Sequence, residues 1–276
     1  MHSRRIFLLA ICLALVPGCG ATPTIAPTQP GLTQTLASGT LTVFAAASLT
    51  EAFTEIGQQF EADHPGVTVV YNFAGSQALS AQLGEGAPAD VFASANMKEM
   101  TNAIAAGRVA DGQQETFAHN KLVVIYPGDN PAGLAKLQDL TKPGLKLVLA
   151  AEEVPVGKYS LEFLDKAGQD AAFGATYKED VLKSVVSYEE NVKAVLTKVL
   201  LGEGDAGIVY LTDIRLESAD KVGRLEIPDA LNAVATYLIA VVSDAGQREL
   251  ARAFIDLVLS AQGQATLVKY GFLGAD

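Results

Sequence analysis

A change from strand to helix is marked by the sequence Phe44-Ala45-Ala46-Ala47-Ser48-Leu49. The β-type run 40–44 ends here, and a segment with the apolar periodicity of a helix begins just past Ser48. The pattern recurs further along the chain, where the run 67–73 ends in Ala74-Gly75-Ser76 and a second helical segment follows. Both serines are therefore predicted to cap the N-terminus of a helix.

Two serine-capped helix starts suggest a binding site for an anion. The first backbone N–H groups of a helix have no internal partner, and the helix dipole places partial positive charge there. Small residues also let an oxyanion approach the backbone closely. The alternative is that Ser48 and Ser76 are ordinary N-caps that serve only their own helices. Spacing alone leaves both interpretations open.

The first residues have the composition of a lipoprotein signal peptide, which we predict over residues 1–18. Two arginines precede an apolar run too short for a permanent membrane helix, and the run ends in Val16-Pro17-Gly18-Cys19, which resembles a bacterial lipobox. Cys19 would then carry the lipid, and the uncharged, Thr- and Pro-rich residues 19–38 are predicted to be a flexible tether. A secretory leader with an incidental cysteine is the alternative.

Charge and cysteine content exclude several classes of function. The chain has two cysteines, Cys12 in the leader and Cys19, so the mature domain would have no disulfide and no cysteine metal site. The formal charge of −11 becomes −13 when a leader with two arginines and no acid is removed, which argues against nucleic acid and anionic membrane surfaces as partners. It does not exclude a buried anion site, because surface charge is screened over about 8 Å at physiological salt.

Short strands rich in Val, Ile and Leu alternate with helical segments, and this alternation is typical of an α/β fold. The predicted strands lie near 40–44, 67–73, 90–94, 121–126, 146–150, 206–210 and 234–242. The predicted helices lie near 49–62, 77–84, 97–106, 160–167, 190–202 and 245–260.

An internal repeat suggests two similar lobes. The sequences 83–92 and 201–210 both contain Leu-Gly-Glu-Gly before a β-type run, as expected of a helix that ends at a glycine and turns into a buried strand. A generic turn used twice is the alternative. The longest apolar β-type runs, 121–126 and 234–242, lie where a chain would pass between two lobes and back. We therefore expect lobe 1 over 39–120 plus 237–276 and lobe 2 over 121–236, with a ligand cleft between them.

Several motifs in order along the chain carry a resemblance to a known family. They are FAAASL, FAGSQAL, GAPADVFASA, VPVGKY, ENVKAVL and GDAGIVY. In this order and at these separations, over about residues 40–273, they resemble the periplasmic molybdate-binding proteins of bacterial ABC transporters, which are type II solute-binding proteins. The resemblance implies a two-lobed fold in which two mixed sheets, flanked by helices, are joined by two crossover strands.

The resemblance also implies a site for a tetrahedral dianion built from neutral donors. The implied ligand residues are Ser48 and Ser76 through hydroxyl and N–H, Val156 and Val192 through backbone N–H, and Tyr210 through its hydroxyl. The serines would come from one lobe and the other three residues from the second.

A donor-only site favours an anion that carries no proton. Molybdate, tungstate and sulfate are fully ionised at neutral pH, whereas protonated phosphate needs an acceptor. Together with this argument, the resemblance implies capture of molybdate or tungstate outside the cytoplasm by a lipid-anchored, monomeric protein. This protein would deliver the anion to the permease of an ABC importer, without a cofactor or a bound metal cation.

Two alternatives and one open point remain at the level of sequence. A protein for another tetrahedral oxyanion such as sulfate is the nearest alternative. A hydrolase that uses Ser48 or Ser76 is less favoured, because no His, Cys or Lys lies close in sequence to either serine and no G-x-S-x-G motif surrounds them. Gln77 stands where the family commonly has glycine or a small hydroxyl residue, and it would either narrow or reshape the pocket floor.

Overall fold

The computed structural model describes residues 38–214 and 220–275. The predicted signal peptide, Cys19 and all but the last residue of the predicted tether lie outside the described residues. Within the described part, no helix is both long and apolar enough to cross a membrane.

The described strands form two five-stranded sheets. In sheet order, the first contains β2 (Val67–Ala74), β1 (Gly39–Ala46), β3 (Val91–Ser94), β10 (Ala235–Val241) and β4 (Glu115–Asn120). The second contains β7 (Val185–Glu189), β6 (Leu147–Ala150), β8 (Ala206–Tyr210), β5 (Leu122–Pro127) and β9 (Val222–Glu226).

The two sheets share one topology. In the first, β1 is parallel to β2 and β3, and β10 is antiparallel to β3 and β4. In the second, β6 is parallel to β7 and β8, and β5 is antiparallel to β8 and β9. The prediction of two mixed sheets is therefore confirmed. The chain leaves the first sheet at Asn120, enters the second at Leu122, and returns before Ala235.

Eight α-helices flank the sheets in the described part. They are α1 (Thr50–Asp63), α2 (Ser76–Gly84), α3 (Met97–Ala105), α4 (Pro155–Gln169), α5 (Tyr177–Leu182), α6 (Val192–Leu200), α7 (Arg248–Leu259) and α8 (Ala261–Lys269). We call the first sheet with α1–α3, α7 and α8 the first lobe, and the second sheet with α4–α6 the second lobe.

Successive side chains of β1 point to opposite faces of the first sheet, and each face packs against an apolar core. Leu41 and Val43 join one core, in which Phe53 of α1 packs edge-to-face on Phe254 of α7 at 5.9 Å. Phe44 points into the other core, beside α2 and α3. Each fully buried side chain of this size contributes about 1.5–3 kcal/mol, so the sheet is a rigid platform for the loops at its edge.

The repeated Leu-Gly-Glu-Gly motif does end two helices, but at different glycines. The backbone N–H of Ala87 bonds Gln82 O around Gly86, and the N–H of Glu203 bonds Lys198 O around Gly202. The backbone φ angles of Gly86 and Gly202 are 92° and 72°, values that residues other than glycine rarely adopt. The two turns are therefore equivalent in structure, but the turn glycine is the second glycine of the first motif and the first glycine of the second motif.

Some elements differ from the predicted ones. The helix predicted over 160–167 begins at Pro155, because proline suits the first turn of a helix. The strands β4, β7 and β9 and the helices α5 and α8 were not predicted. The three strands carry polar or charged residues, and each lies at the edge of its sheet, where one side faces no neighbouring strand. Ser260 separates α8 from α7 by accepting a hydrogen bond from Gly263 N.

Candidate functional site

A cavity lies between the two lobes, where strands β1, β2 and β8 end. All five residues that the resemblance implies as ligands line it, and the structure thus brings them together: Ser48, Ser76, Val156, Val192 and Tyr210. The rest of the lining is mostly alanine, glycine, proline and valine, so little side-chain bulk separates the cavity from the backbone.

Three helix N-termini converge on this cavity. Ser76 is the first residue of α2, Val156 the second of α4 and Val192 the first of α6. N–H groups at these positions have no partner within the helix, and the helix dipoles add partial positive charge. The N-cap of α6 is Asn191, whose Oδ1 accepts from Ala194 N at 3.0 Å. The helix N-termini therefore direct partial positive charge at the cavity, and none of its described lining residues is cationic.

The prediction that Ser48 and Ser76 cap their helices is wrong. The N-cap of α2 is Gly75, and that of α1 is Leu49, because Ser48 lies in a 3₁₀ turn, Ala47–Leu49, that precedes α1. Neither N-cap makes a side-chain capping bond. The ordinary-cap interpretation falls as well, because the serine hydroxyls have other partners.

Each serine hydroxyl has a hydrogen-bond partner in the protein on its buried side. Ser76 Oγ accepts from Ala95 N at 3.0 Å. Ser48 Oγ lies 2.8 Å from the hydroxyl of Tyr237. A hydroxyl has one proton and accepts through its lone pairs, so a serine that accepts on its buried side can donate into the cavity.

Tyr210 presents an unpaired hydroxyl to the cavity. The residue is 1% exposed, and among the described residues its hydroxyl has no hydrogen-bond partner. Burial raises the pKa of this phenol well above its ordinary value, and the nearby Tyr237, Tyr159 and Asp213 add to the effect. The hydroxyl therefore keeps its proton as a donor. Buried polar groups are nearly always satisfied, so an orphan at a cavity wall indicates a ligand position.

Charged groups are kept behind the lining. Among the described residues that line the cavity there is no Asp, Glu, Lys, Arg or His. Asp213 lies beneath it, fully buried, and its Oδ2 accepts from Tyr210 N at 3.0 Å. Lys193 Nζ lies 3.3 Å from the other carboxylate oxygen. Burial raises the pKa of Asp213, although Lys193 and the Tyr210 N–H act in the opposite direction.

Lys193 and Gln77 make polar contacts that bridge the lobes beside the cavity. Lys193 Nζ of α6 contacts both carboxylate oxygens of Glu51 in α1, at 2.8 and 2.9 Å. Burial opposes the charge of Lys193, but Asp213 and Glu51 outweigh it and raise its pKa. Gln77 Nε2 donates to Glu190 O at 2.9 Å. Gln77 is not among the described residues of the cavity lining, and its side chain reaches across the cleft to the second lobe.

Sequence reasoning missed the residues behind Ser48. Tyr237 lies in the apolar run that became β10, and Asn120 ends β4. Asn120 Nδ2 donates to Thr212 Oγ1 at 2.8 Å and to the Tyr237 hydroxyl at 3.3 Å. A polar residue at the end of a strand and a tyrosine within an apolar run were the only available signals, and both are common in protein cores.

Comparison with known proteins supports the architecture and the class. Residues 41–273 match a family described as bacterial extracellular solute-binding proteins. The molybdate-binding protein ModA of Mycobacterium tuberculosis H37Rv is 39% identical over 264 residues, covering 95% of this chain and 94% of that protein.

Two solved structures share the fold at low identity. The periplasmic molybdate-binding protein of Azotobacter vinelandii has a TM-score of 0.72 and 19% identity, covering 84% of this chain and 98% of that one. The sulfate-binding protein SubI of M. tuberculosis has a TM-score of 0.76 and 21% identity, covering 86% of this chain and 87% of that one. With a family match over nearly all of the described residues, two lobes of one topology and a cavity between them, this chain belongs to the bacterial extracellular solute-binding proteins.

Proposed function

We propose that this protein captures molybdate or tungstate outside the cytoplasm and delivers it to the permease of an ABC importer. The observation that carries the proposal is the buried, unpaired Tyr210 hydroxyl at a cavity to which three helices present their N-termini. The 39% identity to a molybdate-binding protein over nearly the whole chain supports this choice of anion.

In the proposed complex the anion is held by donors from both lobes. Ser48 and Ser76 contribute hydroxyl and N–H groups from the first lobe, Val156 and Val192 contribute N–H groups from the second, and Tyr210 contributes its hydroxyl. Hydrogen bonds to a charged partner are stronger than neutral ones, at about 1.5–3 kcal/mol each. Because the described lining holds no carboxylate, a protonated anion finds no side-chain carboxylate that could accept a hydrogen bond from its O–H group.

Binding is favoured over catalysis by the same lining. A hydrolase that uses Ser48 or Ser76 would need a base within hydrogen-bond reach, and the described hydroxyl partners are a tyrosine and a backbone N–H. Cys19 would hold the protein at the membrane through its lipid. A single chain gives only reversible binding, so retention would need a further contribution.

Calorimetric titration of the purified protein with molybdate, tungstate, sulfate and phosphate tests the proposal. Molybdate and tungstate should bind tightly, and sulfate more weakly, because a rigid shell of N–H and O–H donors sized for the larger anions loses hydrogen-bond energy when distances stretch. Phosphate should bind most weakly. Sulfate binding equal to that of molybdate would contradict the choice of anion, and no binding of any of the four would contradict an oxyanion site.

A further inference from the structure

We propose that Tyr237 is a positioning residue that fixes the Ser48 hydroxyl as a donor toward the anion, through a directed hydrogen-bond chain that starts at the Asn120 amide. This inference rests on the proposed function, because it concerns how that site recognises its ligand. Tyr237 itself is fully buried and is not part of the cavity lining, so it acts through Ser48.

The direction of the chain is set at Asn120. Its Oδ1 accepts from the backbone N–H of Lys121 at 2.9 Å, and an N–H can only donate. The amide nitrogen must therefore point the other way, toward Thr212 Oγ1 at 2.8 Å and the Tyr237 hydroxyl at 3.3 Å. The amide gives one proton to each, so the Tyr237 oxygen accepts.

Among the described residues, Ser48 is the hydrogen-bond partner left for the proton of Tyr237. Burial raises the pKa of Tyr237 well above its ordinary value, so the phenol remains protonated. Its oxygen already accepts from Asn120, and Ser48 Oγ lies 2.8 Å away. Tyr237 donates to Ser48, and the single proton of Ser48 is left to point into the cavity.

The ring of Tyr237 is held in place by its neighbours. It packs edge-to-face on Phe272 at 5.3 Å and on Phe117 and Tyr210 at 6.0 Å each. These contacts do not involve the hydroxyl, so Tyr237→Phe removes the donor to Ser48 and keeps the packing.

Ser76 provides an internal control. Its Oγ accepts from the backbone N–H of Ala95, which no side-chain substitution removes. The two serines thus have the same proposed role toward the anion, but only Ser48 depends on a side chain for its orientation.

The test is a pair of double-mutant cycles with molybdate affinity as the readout. Tyr237→Phe alone should weaken binding about 2- to 12-fold, which is the value of one neutral hydrogen bond. In a Ser48→Ala background, Tyr237→Phe should cause no further loss, because the group it orients is gone. In a Ser76→Ala background it should cause the same loss as in the wild type.

Phosphate affinity gives a second readout that a structural role would not change. Without the Tyr237 donor, the Ser48 oxygen is free to accept a hydrogen bond from the P–OH group of hydrogen phosphate. The ratio of phosphate to molybdate dissociation constants should therefore narrow in Tyr237→Phe and stay unchanged in Ser48→Ala/Tyr237→Phe relative to Ser48→Ala.

The outcomes separate the two proposals. If the wild type binds no oxyanion, the proposed function fails and the role of Tyr237 fails with it. If the wild type binds molybdate but the losses of Tyr237→Phe and Ser48→Ala multiply, or Tyr237→Phe binds like wild type, only the role of Tyr237 is overturned. Thermal melting of each ligand-free variant checks that the lost affinity is not lost folding.

Discussion

Tyr210 differs from the other buried tyrosines in what its hydroxyl does before a ligand arrives. Tyr177 donates to Leu137 O at 2.6 Å, and Tyr237 bonds Ser48, whereas the Tyr210 hydroxyl has no partner among the described residues. A buried unpaired donor costs stability, and a ligand that accepts from it recovers that cost. The hydroxyl of Tyr210 therefore couples ligand binding to the stability of the fold.

Tyr210→Phe should separate affinity from stability. Removing an unpaired hydroxyl should leave the ligand-free melting temperature unchanged or slightly higher, while molybdate affinity falls by about 1.5–3 kcal/mol, or roughly 10- to 150-fold. Calorimetry and melting with and without ligand would measure both. The matched control is Tyr177→Phe, which removes a satisfied hydroxyl from the core of the second lobe. That variant should lose about 1 kcal/mol of stability and keep its affinity. Undiminished binding by Tyr210→Phe would remove this residue from the site.

At the scale of an element, the first turn of α4 is fixed by a close approach to the end of β6. A Cβ on Gly157 would lie 2.0 Å from Ala151 O and 2.6 Å from Ala150 O. Both are backbone atoms, which cannot move aside as a flexible side chain would. The glycine therefore allows α4 to bring the Val156 N–H to the cavity.

Gly157→Ala should displace this turn and weaken both binding and folding. We expect a loss of about 1–3 kcal/mol of unfolding free energy from overpacking and at least a 10-fold loss of molybdate affinity, because the Val156 N–H would shift from the anion. Gly168→Ala in the same helix is the control. Its Cβ would be 3.9 Å from the nearest atom, Ala175 O, so it should bind normally and gain up to about 1 kcal/mol of stability. Equal behaviour of the two variants in denaturation and calorimetry would contradict this role for Gly157.

At the scale of the whole molecule, the lobes are joined by side-chain contacts that exist only while the lobes are together. Glu51 and Lys193 pair across the cleft, and Gln77 reaches Glu190 O. Anion donors also come from both lobes in the proposed complex. Ligand and bridging contacts therefore favour the same closed arrangement, and a contact outside the cavity lining should influence affinity.

Glu51→Gln should weaken molybdate binding about 1.4- to 5-fold, mainly through faster dissociation, because a partly exposed ion pair contributes about 0.2–1 kcal/mol. Lys193 keeps Asp213 as a partner in this variant, so no buried charge is left alone. The control is Glu55→Gln, one turn along the same helix, where the carboxylate pairs with Lys269 within the first lobe. It should bind like wild type in stopped-flow and calorimetric measurements. Tighter binding by Glu51→Gln would mean that its repulsion of the anion outweighs the bridge.

Local patterns in the sequence were sufficient for the strand and helix order around the site. Strand ends at Phe44–Ser48, Phe73–Ser76 and Tyr210 follow from apolar periodicity and small residues, because these signals act over a few neighbouring positions. The family resemblance was needed to predict which of those residues lie together in one site. The edge strands β4, β7 and β9 escaped prediction because their polar and charged residues weaken the hydrophobic signal, whereas β2, which is also an edge strand, has an apolar run that was recognised.

Only the tertiary structure could assign partners to the polar groups. Ser48 and Tyr237 are 189 residues apart, and Gln77 and Glu190 are 113 apart, so no periodicity relates them. The sequence suggested helix caps because the nearest hydrogen-bond partners of the serine hydroxyls along the chain are the first N–H groups of the following helix. In the folded protein their partners are the Tyr237 hydroxyl and the Ala95 N–H. Hydrophobic patterning is local and is written into each segment, but the direction of a hydrogen bond depends on which segments meet.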